Sequence, residues 1–80
     1  MPDPTITRED RSSHGRYVAR VAGIDAEAEL IYRRDSPILI IAEHTEVPDA
    51  FRGQGMGRRL VSRMVEDARK EGFKIFARCP

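Results

Sequence analysis

A strand, a glycine-rich loop and a helix follow one another in the middle of the sequence, and this succession constrains the fold more than any other feature. The run Ile38–Ala42 is apolar at every position, which predicts a strand buried on both faces at the centre of a sheet. The polar residues Glu43–Glu46, the pair Val47–Pro48 and the loop Arg52–Gly57 come next. Apolar residues then recur at helical spacing, at Leu60, Val61, Met64, Val65 and Ala68.

Two strands are predicted before this β-loop-α unit and one after it. Tyr17–Val21 is a short apolar segment, and the alternation of apolar and polar residues over 26–33 predicts a half-buried strand antiparallel to it. Phe73–Ala77 predicts a last strand, joined to the central one by a right-handed parallel crossover. We therefore expect an α+β fold with a mixed β-sheet over residues 17–80, and a polar N-terminal tail over residues 1–16.

Composition excludes several classes of function. The chain has 80 residues, a net charge of +1, two histidines and one cysteine. This length accommodates one small domain, and the charge is too small to indicate a nucleic-acid partner. One cysteine excludes an internal disulfide, and no cysteine and histidine cluster has the spacing of a metal site. Because the sequence lacks a signal peptide and an apolar run of roughly 20 residues, we expect a cytoplasmic protein without a membrane partner.

The loop Arg52–Gly57 carries glycine at three alternating positions. Two explanations are open. Either the glycines only form a sharp turn, or they allow consecutive backbone N–H groups to approach an anion without a Cβ in the way. The arginines favour the second explanation, because Arg52, Arg58 and Arg59 surround a helix N-terminus, where the helix dipole disfavours cations unless an anion binds.

Two common phosphate-binding motifs do not fit this loop. A Walker-A motif requires Gly-Lys followed by Ser or Thr, whereas Gly57 precedes two arginines. A dinucleotide-binding fingerprint reads G-x-G-x-x-G, with an acidic residue at the end of the next strand. Here the loop reads G-x-G-x-G, and the next strand ends in Arg78-Cys79-Pro80. Neither nucleotide hydrolysis nor dinucleotide binding is therefore predicted.

The pattern that remains is Arg/Gln-x-x-Gly-x-Gly/Ala, which Arg52, Gly55 and Gly57 match. With His44-Thr45-Glu46-Val47-Pro48 before the loop and Cys79-Pro80 at the end, the sequence resembles the small single-domain members of the GNAT superfamily of N-acetyltransferases. The resemblance extends roughly from residue 17 to residue 80. The family usually continues past Cys-Pro with another helix, so the resemblance also implies a fold that is short at its C-terminus.

The resemblance implies acetyl-CoA (coenzyme A) as the cofactor. The loop backbone would hold the pyrophosphate, and the pantetheine arm would pair with the strand around Thr45–Val47. The acetyl group would lie where that strand separates from Phe73–Cys79, and the polar end of an otherwise apolar strand, Glu43–Glu46, suits such a cleft. The cofactor-binding residues implied in this way are Thr45, Glu46, Val47, Arg52, Gly53, Gln54, Gly55, Met56, Gly57 and Arg58.

Acetyl transfer to an amine needs a base that accepts the proton of the ammonium group. His44 is a candidate because histidine titrates near neutral pH, and Glu46 lies on the same face of the strand if no bulge intervenes. Cys79, at the end of the last strand, is a candidate nucleophile that would form an acetyl-cysteine intermediate. A structural explanation stays open for each residue: a hydrogen-bonded histidine, a solvated carboxylate and a small buried thiol.

The main prediction is an acetyl-CoA-dependent N-acetyltransferase that transfers an acetyl group to an amine, with Cys79 and His44 as the catalytic residues. Two alternatives stay open. One is an acyl-CoA-binding module without catalysis, and the other is a small arginine-rich domain that binds acidic partners. The sequence identifies neither the amine acceptor nor the oligomeric state.

Overall fold

The computed structural model describes residues 3–78, in which five strands and one α-helix are present. In chain order the elements are β1 (Thr5–Asp10), β2 (His14–Arg20), β3 (Glu27–Ser36), β4 (Leu39–Glu46), a 3₁₀ turn (Asp49–Phe51), α1 (Met56–Glu71) and β5 (Lys74–Ala77). The predicted strand-loop-helix-strand order of the second half of the chain is confirmed.

All five strands form one sheet in which neighbours in sequence are neighbours in space. The β1–β2, β2–β3 and β3–β4 pairs are antiparallel. β4 and β5 are parallel, with Leu39 opposite Lys74 and Ala42 opposite Ala77. The predicted α+β fold with a mixed sheet is therefore confirmed. β4 has a neighbour on each side, although Ile38 lies in the turn before the strand and is exposed.

The helix packs on one face of the sheet. Its buried apolar residues Met56, Leu60 and Met64 contact the alternating residues of β2, β3 and β4 that point to that face, among them Tyr17, Ala19, Ala28, Leu30, Tyr32, Ile40 and Ala42. Val61 was predicted to belong to the buried stripe, but its side chain is 47% exposed. The stripe in contact with the sheet instead follows the spacing i, i+4, i+8 from Met56 and continues to the buried Asp67. Within residues 3–78, no helix has the length and apolar character of a membrane span.

Strand β1 corrects the prediction that residues 1–16 form a polar tail. Thr5–Asp10 pairs with β2 along its whole length, and β2 itself begins at His14. Ile6 packs against the core, and Arg8 forms an ion pair with Asp67 of α1 at 3.4 Å. The prediction failed because the partner of Arg8 lies far along the chain, so the polar composition of this segment gave no indication of a buried contact.

Asp67 is the centre of a polar network beneath the C-terminal half of α1. Its side chain is only 10% exposed. It accepts hydrogen bonds from the Tyr17 hydroxyl at 2.8 Å, from Arg8 at 3.4 Å and from Arg63 at 3.3 Å. Arg8 also donates to Glu71, in the last turn of the helix. These contacts tie β1 and β2 to α1, since a buried carboxylate is stable only when its hydrogen bonds are made.

Two buried tyrosines donate to carboxylates in this network. Burial, together with the hydrogen bond to Asp67, raises the pKa of Tyr17 above its ordinary value. Burial and the hydrogen bond to Asp10 raise the pKa of Tyr32 in the same way. For Asp10 itself, burial acts to raise the pKa, but the hydrogen bond from Tyr32 and the nearby Arg34 outweigh it, so that the pKa lies below its ordinary value. The network is therefore fully formed with neutral tyrosines and charged carboxylates.

Candidate functional site

The loop between β4 and α1 is built from tight turns anchored by one buried side chain. Phe51, the last residue of the 3₁₀ turn, is buried in the core. The backbone N–H groups of Arg52 and Gln54 donate to the carbonyls of Asp49 and Phe51, at 3.0 and 3.2 Å. These turns fix the position at which α1 begins.

The backbone itself requires two of the three loop glycines. Gly53 and Gly55 have φ angles of 79° and 64°, in the left-handed region that favours glycine. Gly55 is also the N-cap of α1, and no side chain caps the helix there. The turn explanation therefore accounts for these two positions without any ligand.

Gly57 is different, because nothing in the described chain requires a glycine at that position. It lies in the first turn of α1 and does not have a positive φ. A Cβ added there would meet Val47 Cγ2 at 3.8 Å and Thr45 Cγ2 at 3.9 Å, which are ordinary contact distances. Glycine within a helix is also less favourable than alanine, by up to about 1 kcal/mol. The open surface beside Gly57 faces the end of β4, where the resemblance implies the pantetheine arm.

The first turn of α1 presents N–H groups and cations without partners in the described part of the chain. The N–H groups of Gly55, Met56, Gly57 and Arg58 donate to no backbone carbonyl within residues 3–78, as is usual at an uncapped helix start. The turn contains no acidic residue. Arg58 and Arg59 are exposed, and neither lies within 4.0 Å of a carboxylate in this range. This surface has the free donors and the positive potential that an anion requires.

Arg52, unlike Arg58 and Arg59, has a carboxylate partner among the described residues. Its side chain is 80% exposed and donates to Asp49 Oδ1 at 3.1 Å, three residues earlier. The position of Arg52 in the sequence groups it with Arg58 and Arg59, but its pair with Asp49 separates it from them. The spacing of Asp49 and Arg52 indicates this pair, because residues three apart in a helical turn are neighbours.

Among the described residues, the last residues of β4 have an open edge on the side of β5. The pairing with β5 extends only to Ala42 opposite Ala77, after which the Arg78 N–H donates to the Ala42 carbonyl at 2.9 Å. Within residues 3–78, Glu43–Glu46 has strand partners only in β3. An extended ligand that carries amide groups can pair with such an edge through main-chain hydrogen bonds.

A β-bulge at Glu43 decides which side chains of β4 face the helix. The register between β3 and β4 shifts between Ala42 and His44, which leaves Glu43 without an opposite residue. Thr45 therefore lies on the face covered by α1, and its methyl group is near Gly57. His44 and Glu46 lie on the opposite face. Because the bulge precedes both of them, the predicted shared face of His44 and Glu46 holds.

His44 and Glu46 form a pair on this second face. The imidazole Nε2 lies 3.7 Å from Glu46 Oε2, and the two side chains are 57% and 66% exposed. The two groups form an ion pair only when the imidazole is protonated. Cys79, the other catalytic candidate, lies outside the described residues, and its role stays a prediction.

The structure thus brings Thr45 and Val47 next to Gly57 on one side of β4, and holds His44 with Glu46 on the other. As a consequence, the side chain of Glu46 points away from the glycine loop, so only its backbone can contact a ligand bound beside Gly57. Sequence reasoning did not find the bulge, because a single extra residue in a strand leaves no mark in composition or periodicity.

The sequence of this chain is similar to the sequences of proteins from a known family. Residues 16–80 match a family model described as GCN5-related N-acetyl-transferase. The chain is 30% identical over 78 residues to Protein NATD1 of Xenopus tropicalis, which is 98% of this chain and 72% of that protein. It is 30% identical over 76 residues to Protein NATD1 of Homo sapiens, which is 95% of this chain and 66% of that protein. From the extent of the family match and the identity to these relatives, the chain belongs to the GCN5-related N-acetyltransferase family.

Proposed function

We propose that this protein is an acetyl-CoA-dependent N-acetyltransferase that acts on an amine. The observation that carries the proposal is the first turn of α1, where free N–H groups lie beside Thr45 and Val47 at the end of β4. Arg58 and Arg59 in the same turn have no carboxylate within 4.0 Å among residues 3–78. Membership of the family makes acetyl-CoA the expected acyl donor.

The described residues suit two parts of acetyl-CoA, the pyrophosphate and the pantetheine arm. Gly57 lies beside Thr45 and Val47 at the start of α1, and the N–H groups around it suit a pyrophosphate. The backbone of Glu43–Glu46 offers donors and acceptors for the amides of the pantetheine arm. Bound acetyl-CoA would supply an acyl group activated as a thioester.

The acceptor amine approaches from the opposite face of the sheet in this proposal. His44 lies there, with its Nε2 3.7 Å from Glu46 Oε2. The amine nitrogen forms a bond to the carbonyl carbon of the thioester, and the carbon–sulfur bond breaks. His44 Nε2 or Nδ1 accepts the proton that the amine loses, and the departing sulfur takes up a proton to become a thiol.

A route through Cys79 requires a different first step, in which the thiol takes the acetyl group before the amine does. The two routes differ in an observable species. Mass spectrometry after incubation with acetyl-CoA alone detects acetyl-Cys79 only in the second route. In the direct route, Cys79→Ala retains activity and His44→Ala loses most of it.

The test of the proposal is acetyl-CoA binding by calorimetry, followed by a thermal shift. Ligand at 100 times its dissociation constant adds about 2.7 kcal/mol to the free energy of unfolding, a large increment for a domain of this size. Desulfo-CoA, which lacks the thiol but retains the phosphates and most of the pantetheine arm, is expected to bind nearly as well. A folded sample that shows no binding at millimolar CoA in low salt contradicts the proposal.

A second candidate function is an acyl-CoA-binding module without turnover. The observation in its favour is the exposure of His44 and Glu46, because a well-solvated base receives no help from a low-dielectric site. Such a module transfers no acetyl group with or without His44, so His44→Ala leaves the measured activity at zero. It still binds acetyl-CoA as the transferase would.

A further inference from the structure

Strand β5 lies at an edge of the sheet and has no neighbour on its outer side among residues 3–78. On its inner side, the N–H groups of Lys74 and Arg78 donate to carbonyls at the two ends of the pairing with β4, at 2.7 and 2.9 Å. Because successive N–H groups of a strand point to alternate sides, those of Ile75 and Ala77 point outwards. With the carbonyls of the same two residues, they form a row of unpaired backbone groups that another strand can join.

The side chains of β5 alternate between the two faces of the sheet. Ile75 packs against the core beneath α1. Lys74, Phe76 and Arg78 therefore point to the opposite face, which no helix of residues 3–78 covers. Four large apolar side chains are exposed in the described part of the chain, and two of them, Phe76 and Ile38, lie at this edge. Phe76 is 58% exposed, so one apolar contact at the edge is only partly made.

The charge of this edge is positive, and the described residues do not balance it. Lys74 and Arg78 are exposed, and neither has a carboxylate within 4.0 Å in the range 3–78. Arg16 and Arg33 lie on the same face of the sheet, and each of them pairs with two or more carboxylates. The face is therefore neutralised over β2 and β3 and carries unpaired cations at β5.

This charge disfavours a second copy of the chain as the added strand. Residues directly opposite each other in an antiparallel pair point to the same face. The register that brings two Phe76 rings together therefore places Lys74 of one copy opposite Arg78 of the other, and like charges in this position are destabilising. A register centred on Ile75 separates the rings and leaves both cations without an acidic partner. The edge is thus protected against self-pairing but suited to a strand of opposite charge.

We propose that the outer edge of β5 binds an acidic partner chain as an added strand. The partner has an apolar residue beside Phe76, and an acidic residue two positions away on each side, beside Lys74 and Arg78. This pattern, Asp/Glu-x-apolar-x-Asp/Glu, is the same in both directions of the strand. Main-chain hydrogen bonds to Ile75 and Ala77 provide affinity, whereas the charges select the partner. The inference does not depend on the proposed function, which uses β4 and the first turn of α1.

The first measurement is amide hydrogen exchange of the free protein, followed by NMR. The N–H of Phe76 points to β4 and is expected to exchange more slowly than those of Ile75 and Ala77, which point outwards. Equal protection of all three amides would overturn the inference. It would show that this chain or a second copy already covers the edge.

The second measurement titrates two capped peptides that differ only in charge, Thr-Glu-Thr-Val-Thr-Glu-Thr and Thr-Lys-Thr-Val-Thr-Lys-Thr. We expect the glutamate peptide to shift the amide signals of Ile75 and Ala77, and to bind about tenfold more tightly than the lysine peptide at low salt. Equal affinity for the two peptides would overturn the inference, and so would the absence of shifts at these two amides at millimolar peptide.

Charge reversal on the protein supplies the matched control. In the double variant Lys74→Glu with Arg78→Glu, the order of the two peptides is expected to reverse, and binding of the lysine peptide shows that the variant is folded. Arg11 is exposed in the turn between β1 and β2, at the other edge of the sheet. Arg11→Glu should therefore keep the preference for the glutamate peptide. If that preference survives in the double variant, the two cations do not select the partner and the inference fails.

Discussion

The two halves of α1 use charged residues in opposite ways. In the C-terminal half, Asp67 accepts hydrogen bonds from Arg8, Arg63 and Tyr17, and the charges that face the sheet are paired. In the first turn, the N–H groups and the arginines have no partner within residues 3–78. The same residue type fastens the helix to the sheet at one end and is left unpaired at the other.

This contrast shows that the abundance of arginine carries no functional information by itself. What distinguishes a binding arginine from a structural one here is whether the chain supplies its carboxylate. A paired arginine contributes to the free energy of unfolding, whereas an unpaired arginine beside a helix N-terminus is unfavourable until an anion arrives. Substitutions in the two halves are therefore expected to change different measured quantities.

The largest effect is expected for Asp67→Ala, which should lower the free energy of unfolding by about 3–5 kcal/mol. The substitution leaves the buried guanidinium of Arg8 and the Tyr17 hydroxyl without their shared acceptor. Urea unfolding measures the change. Glu66→Ala is the control, because Glu66 forms only a surface pair with Lys70 and should cost about 0.5 kcal/mol or less. A loss below about 1 kcal/mol for Asp67→Ala would contradict the structural role of the network.

Gly57→Asp is expected to weaken acetyl-CoA binding about a hundredfold without destabilising the fold. An aspartate in the first turn interacts favourably with the helix dipole, by about 0.3–1 kcal/mol, but repels a bound pyrophosphate. Gly57→Ala is the matched control, since a Cβ has ordinary contacts there. It should retain binding. If the thermal stability of Gly57→Asp drops together with its affinity, the glycine has a structural role that the geometry does not account for.

A substitution at Gly55 does not separate a loss of binding from a loss of stability. Any other residue at its φ of 64° is strained, so a valine there is expected to lower stability and binding together. The substitutions at Gly57 are therefore the clearer test of the loop.

The paired half of the helix also predicts a loss of stability in alkaline solution. The pKa values of Tyr17 and Tyr32 are raised in the fold, chiefly by burial and then by their carboxylate partners. Their contribution is fully present below about pH 10, the ordinary pKa of tyrosine, and is lost as the pH rises towards the folded values. Urea unfolding between pH 8 and pH 11 should show this decline, and Tyr17→Phe should reduce it at an intrinsic cost of about 1–3 kcal/mol. A profile that is flat to pH 11 would contradict it.

The smallest effect is expected for Arg52→Ala. Because Arg52 is exposed and already paired with Asp49, its removal should weaken acetyl-CoA binding by about 1 kcal/mol or less, and high salt should reduce the difference further. Asp49→Ala, which frees Arg52, should slightly strengthen binding. A loss above tenfold in Arg52→Ala, measured by calorimetry, would place Arg52 in the same group as Arg58 and Arg59.

The sequence was sufficient for the parts of the fold that follow from local periodicity. The apolar strand, the helix and the parallel return strand were predicted because each leaves a pattern within a few residues. The glycine loop was predicted for the same reason, although the backbone angles of Gly53 and Gly55 now explain part of its composition.

The sequence was insufficient wherever a residue depends on a distant partner. β1 resembles a polar tail in the sequence because Asp67, the partner of Arg8, lies far along the chain. The predicted apolar stripe of the helix includes Val61, which is exposed in the structure. The shared face of His44 and Glu46 followed from alternation, but which face it is depended on the bulge, and their pairing was not predicted. Long-range contacts of this kind leave no periodic signal in the chain.

The extra residue at Glu43 acts on β4 much as a frameshift acts on a coding sequence. Upstream of it, the register assigns side chains to the two faces in one phase, and downstream the phase is reversed. Most substitutions at Glu43 preserve this phase, whereas deletion of the residue would move His44 and Glu46 beneath the helix and turn Thr45 outwards. Under the proposed function, the face from which an acceptor reaches the thioester is thus set by how many residues β4 contains, and only secondarily by which residues they are.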